Sequence, residues 1–127
     1  MSYDFNTSQT RSILRNLNAT SDGEIEASVV ISTDGFTLAS ALREDIDSDR
    51  YAAMSASLLA LANRTIEEIN IGKMRQVMVI GTEGMMLLNY ISREAVLAVA
   101  ARPKANLGKI LLNTKNCVAR LQALITP

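Results

Sequence analysis

The 127-residue chain predicts an α+β fold, a three-layer α/β/α domain on a five-stranded antiparallel sheet, with element order α-β-β-α-β-β-β-α. Three observations carry this. Apolar residues recur at helical spacing over 7–19, 49–70 and 107–124, and short strand-like runs stand between them. Strands that follow one another directly are joined by only a few residues, too few for a parallel crossover, so they must form antiparallel hairpins. The length suits a single core, and no linker, repeat or low-complexity stretch interrupts it, so residues 1–127 read as one domain.

Each element has its own signal. In "TSQTRSILRNLNA", Ile13, Leu14 and Leu17 lie on one side and Arg11 and Arg15 on the other, giving an amphipathic helix with Asn6 or Thr7 as N-cap. "TSDGE" ends it. In "IEASVVIS", Ile25, Ala27, Val29 and Ile31 are expected on one face and Glu26, Ser28 and Ser32 on the other. "TDG" is a hairpin turn into the second strand, "FTLASAL". Ser48 or Asp49 is placed to cap the long helix 49–70, and Gly72 to close it in a left-handed conformation. "RQVMVIG" and "MMLLNYI" are joined by "TEG", and "SRE" leads into "AVLAVAA". In the last helix Leu107, Leu111, Thr114, Val118, Leu121 and Ile125 follow helical spacing, with Cys117 one position off that line. The middle helix should cross one face of the sheet while the terminal helices cover the other.

Composition removes several function classes. Thirteen basic residues balance thirteen acidic ones without a basic cluster, so no footprint for nucleic acid or an anionic membrane is present. No apolar stretch approaches the roughly 20 residues a transmembrane helix requires, and "SYDFNTSQT" after Met1 lacks the features of a signal peptide. One cysteine permits no internal disulfide, and the expectation is a cytoplasmic domain without membrane insertion. Histidine is absent, which takes away the commonest general acid–base group and the commonest zinc ligand. Neither a nucleophile elbow nor a phosphate-binding P-loop occurs. "DIDSD" resembles the start of a calcium loop, but Arg50 and Ala56 stand where that loop needs Gly and Glu. "GTEG" at 81–84 opens no helix and reads as a plain turn. Cys117 reads as a small buried hydrophobe, with no base in sequence reach to activate it.

The middle helix raises the functional question. "YAAMSASLLALAN", residues 51–63, has no charged side chain. Counted at 100° per residue from Tyr51, one side collects Tyr51, Met54, Leu58, Leu61, Ala62, Thr65 and Ile69, with Leu59 and Ile66 at its margin, and this side is expected on the sheet. The other side reads Ala53, Ala56, Ser57 and Ala60, then Asn63, Arg64 and Glu67. Alanine there is accounted for by helix propensity alone, or by the close approach of another backbone; charges return at once from Arg64, which favours contact. The strand that follows, with Val77, Met78, Val79 and Ile80 in succession, is expected at a sheet edge, and an apolar edge invites a second copy about a two-fold axis.

With the "VVISTDGFTLAS" hairpin, the uncharged second helix and the "PKANLGKILLNTKNCVARL" entry into the last helix in that order, the chain resembles the roadblock/dynein light chain family from about Thr7 to Leu124. The resemblance implies a homodimer joined through strand 75–81, with helices 49–70 paired on one face. Bacterial and archaeal relatives of this kind work with a small Ras-like GTPase as activator or positioning partner, and eukaryotic ones are scaffolds in motor and lysosomal assemblies. No cofactor is implied. By position, Ala53, Ala56, Ser57, Ala60 and Arg64 would form the helix platform, and Val77 and Val79 the joining strand. The family offers no catalytic residue to carry over. Arg64 as an arginine finger is weighed against the ordinary reading, a rim charge, and activation would more simply work by reshaping the GTPase around its own groups. Two further readings stay open: a structural adaptor without a GTPase partner, and a small-ligand sensory domain, which the five aromatics make less fitting.

Overall fold

The structure, a computed structural model, describes residues 6–21, 23–42, 45–103 and 105–125. Its elements are α1 (Thr7–Thr20), β1 (Ile25–Ser32), β2 (Thr37–Ala41), α2 (Ser48–Glu68), β3 (Gln76–Gly81), β4 (Gly84–Tyr90), β5 (Ala95–Ala101) and α3 (Leu107–Ile125), the order expected. The five strands form one sheet in the order β2-β1-β5-β4-β3, and every neighbouring pair is antiparallel. Beyond the three hairpins, β1 pairs with β5 from Ile25 opposite Ala101 to Ser32 opposite Ala95. That pairing puts β5 at the centre and leaves β3 at one edge, as expected, and β2 at the other.

Helices cover both faces. On one, Ile13, Leu14 and Leu17 of α1 and Ile110, Cys117 and Leu121 of α3 pack with Val30, Leu87, Leu97 and Val99. On the other, Ala52 and Leu59 of α2 pack with Val29, Ile31, Leu88, Val96 and Ala98. The uninterrupted apolar run of β5 follows, because a central strand between two helical layers has no water-facing side. The alternation expected for β1 holds from Ser28 to Ile31, but the same layering buries both of its faces. Ser28 and Ser32 are buried, not solvated. The Ser28 hydroxyl donates to Asn18 Oδ1 at 2.9 Å, and Ser32 Oγ accepts from the Phe36 N–H at 3.0 Å. A register shift between Ile25 and Ala27 turns Ile25 to the α1/α3 side, away from Val29 and Ile31.

Caps mark the helix starts. Asn6 Oδ1 accepts from Gln9 N–H at 3.0 Å, one of the two caps expected for α1. For α2 the cap is neither Ser48 nor Asp49 but Asp47, whose Oδ1 accepts from the N–H groups of Asp49 and Arg50 at 3.1 and 3.3 Å. The helix ends at Glu68, two residues earlier than expected; Asn70 and Gly72 both take positive φ in the exit, at 53° and 100°.

The face assigned to α2 needs the largest correction. Its buried residues are Ala52, Ser55 and Leu59, flanked by half-buried Tyr51, Leu58, Ala62 and Ile66. Met54 and Leu61 are each 63% exposed, and Thr65 and Ile69 also face outward. The helix carries two apolar stripes, and a count of hydrophobic residues centres between them. Small Ala52 and Ser55, which the helical count assigned to neither side, let the backbone lie close on the sheet. In α3 the buried line runs Ile110, Thr114, Cys117 and Leu121, so Cys117 lies on it, while Leu107 is exposed and Leu111 and Val118 are half-buried. The side chain of Ile125 lies outside the described residues.

Candidate partner interface

The exposed surface of α2 begins with Ala53 and Met54 and continues through Ser57, Ala60 and Leu61 to Arg64. Four turns of helix thus reach the first charge after Arg50 with only small or apolar side chains outward. The Ser57 hydroxyl donates to the Ala53 carbonyl at 3.1 Å, so it is satisfied within the helix and adds little polarity to the surface. Ala56 differs from its neighbours in being half-buried. The β1–β2 turn lies against it: Gly35 has φ +96°, and a Cβ added there would stand 3.5 Å from Ala56 Cβ and 3.6 Å from Ala53 Cα. Smallness at 53 and 56 therefore has an intramolecular cause, the seat of the hairpin, in addition to any contact outside. At the other end of the helix Asn63 Nδ2 donates to the Tyr90 hydroxyl at 2.6 Å, tying α2 to β4.

β3 is the edge of the sheet opposite β2. It bonds to β4 alone, so among the described residues the N–H and C=O groups of its outer side have no ladder partner. Val77 pairs opposite Leu88 and Val79 opposite Met86, which sets both on the α2 side of the sheet; Val77 is half-buried and Val79 42% exposed. Met78 and Ile80 point to the α1/α3 side and are exposed there. The residues expected at a platform thus divide. Ala53, Ser57, Ala60, Arg64 and Val79 are on the surface, Ala56 is shared with the hairpin, and Val77 is partly covered. Met54, Leu61 and Phe36, the last 70% exposed in the β1–β2 connection, extend the apolar surface and were not among the expected residues. Met54 and Leu61, seven positions apart, formed the signal of a second stripe.

The chemistry of the buried titratable groups is inert near neutral pH. Burial pushes the Tyr51 hydroxyl up from 10.0 to about 12. Burial likewise raises the Cys117 thiol from 9.0 to about 11, with the charge of Arg120 working against it. A thiol so far from ionisation is a poor nucleophile.

A profile of the Roadblock/LC7 domain matches residues 15–101. The chain belongs to this family. Three uncharacterized proteins of Methanocaldococcus jannaschii are each 32% identical to it over 112 residues, spanning 88% of this chain and 92–96% of theirs. Among solved structures, MglB of Myxococcus xanthus superposes with a TM-score of 0.87 at 16% identity, over 97% of this chain and 92% of MglB. An MglB with a tetrameric arrangement gives 0.84 at 17% identity, over 98% and 93%. At these identities the MglB structures establish the shared Roadblock fold. Among the described residues no helix is long and apolar enough to cross a membrane.

Proposed function

We propose that this Roadblock/LC7 chain is a homodimeric regulator or scaffold of a small Ras-like GTPase, with the paired α2 helices as the docking surface. The observation that carries the reading is the coincidence of two uncovered apolar features on one side of the sheet: the outward stripe of α2, with Met54, Ala60 and Leu61, and the free edge of β3, with Val79. Two β3 edges meeting about a two-fold axis would continue the sheet and bring two α2 stripes together. The platform is Ala53, Ala56, Ser57, Ala60 and Arg64, with Val77 and Val79 in the joining strand. Solved MglB structures of the same fold, one of them in a tetrameric arrangement, support an assembly of more than one copy.

In this reading the chain binds no cofactor and supplies no catalytic group. It acts by holding the GTPase's own residues around the γ-phosphate, or by positioning the GTPase in a larger assembly. Arg64 is a rim charge of the docking surface. The test is to mix the purified chain with a small Ras-like GTPase encoded beside it, follow GTP hydrolysis, and measure the mass of the mixture by light scattering. A complex containing two copies of the chain is the expected result, and Ala60→Glu should weaken dimerisation or docking while the protomer stays folded. A dimer that neither binds such a GTPase nor alters hydrolysis would leave the structural-adaptor reading in its place.

A further inference from the structure

A second open surface lies on the opposite side of the sheet from α2. There α3 packs over the centre, through Ile110, Cys117 and Leu121, and leaves the β3 side uncovered. Between them runs a groove of about 550 Å3, lined by Leu111, Lys115 and Val118 of α3, Arg75 just before β3 and Gln76 at its start, and Asn89 and Tyr90 of β4. Three features give it a chemical character. Leu111 and Val118 are half-buried and form an apolar wall, and exposed Met78 and Ile80 continue the apolar surface along β3. The two charged side chains of the lining are both cations, Arg75 and Lys115, and among the described residues no carboxylate lines the groove. Asn89 Oδ1 is buried and has no hydrogen-bond donor among the described residues.

We propose that this groove binds a short acidic peptide segment of a partner protein. Apolar side chains of the segment seat on Leu111 and Val118, its carboxylates face Lys115 and Arg75, and one of its N–H groups donates to Asn89 Oδ1. Lys115 between Leu111 and Val118 on one face of α3, with Arg75 beside β3 in the same groove, fits alternating apolar and acidic side chains. Nucleic acid does not fit it, because the groove has two cations only, and the one aromatic of its lining, Tyr90, packs its ring on the α2 side, where its hydroxyl accepts from Asn63, and so offers no stacking face here. The surface is separate from the α2 side, so this proposal stands whether or not a GTPase docks there.

The probe is a displayed library of random short peptides, selected on the intact chain. Enriched peptides should combine Asp or Glu with Leu, Ile or Phe. A labelled synthetic copy of the best binder should lose affinity as salt rises, because exposed ion pairs are screened. Lys115→Glu should weaken it by roughly three- to thirtyfold, the range expected for losing one or two exposed charge contacts, and Lys115→Arg should restore it. Lys115 is exposed, and an unchanged unfolding curve will show that the variant folds. In NMR spectra the Asn89 side-chain amide and the backbone signals of Leu111 and Val118 should move on peptide addition. The proposal is overturned if no peptide is enriched, if the enriched peptides are basic, or if Lys115→Glu leaves their binding unchanged. It is equally overturned if Lys115→Glu lowers the mass of the chain alone in light scattering, because a second copy would then fill the groove.

Discussion

Leu59 and Leu58 are neighbours on α2 with different surroundings. Leu59 is 2% exposed and sits in the core with Val29, Leu88 and Val96, whereas Leu58 is only half-buried at its margin. Truncation to alanine removes the same atoms in both but leaves a cavity only where neighbours cannot relax into it or water cannot enter. Leu59→Ala should therefore destabilise the protomer by about 2–5 kcal/mol in a denaturant titration, and Leu58→Ala by clearly less. The sequence pointed to Leu58, since a count from Tyr51 weighs every large hydrophobe alike and cannot tell a core stripe from a surface one. Cys117 gives a second test at this scale. Its folded pKa, about 11, lies above its ordinary 9.0 because burial disfavours the thiolate. The fold thus holds the proton more tightly than the unfolded chain does, and that contribution is complete below about pH 9 and is lost as pH rises toward about 11. Unfolding free energies of the parent and Cys117→Ala should run parallel up to about pH 9 and converge above it, as only the parent loses the thiol's contribution. Tyr51 titrates in both chains beyond about pH 10, so it lowers both curves without changing their difference.

At the scale of elements, turns and strands were the most legible features. The Asp34-Gly35 turn is written locally: a left-handed φ of 96° at Gly35 suits glycine, and its N–H donates to the Ser32 carbonyl at 3.0 Å. The position of β3 at an edge was legible too, from its entry after the α2 crossover. Less legible was the cap of α2, because three aspartates and a serine compete within "DIDSD" and only the geometry of the chain entering the helix selects Asp47. The candidate interface was half legible. Its uncharged α2 surface and apolar strand stood out, but the seat of Gly35 on Ala53 and Ala56 is a tertiary contact invisible to helical counting. Ala60, clear of that seat, is the cleaner place to probe contact outside the protomer. For the edge itself, Val79→Lys places a charge on an exposed position of the unpaired strand, which opposes edge-to-edge joining without disturbing the core. Light scattering should then report about half the parent mass with an unchanged circular dichroism spectrum. A parent already at monomer mass would refute the joining of sheets.

For the whole molecule, layer order followed from short connections and three amphipathic segments, but strand order did not. β1 and β5 pair although some 70 residues separate them, and no turn residue encodes that meeting. What encodes it is their burial on both faces, a property that the sparse serines of β1 hid. The two outer strands of the finished sheet are unlike each other. β2 is a five-residue strand whose side chains are all at least half-buried, whereas β3 exposes five of its six residues. A pairing that uses the same border twice consumes the only one of the two furnished with bare hydrocarbon. Ten strands would then be the terminus, not the first link of a filament, and the asymmetry of a single sheet is what makes the count finite.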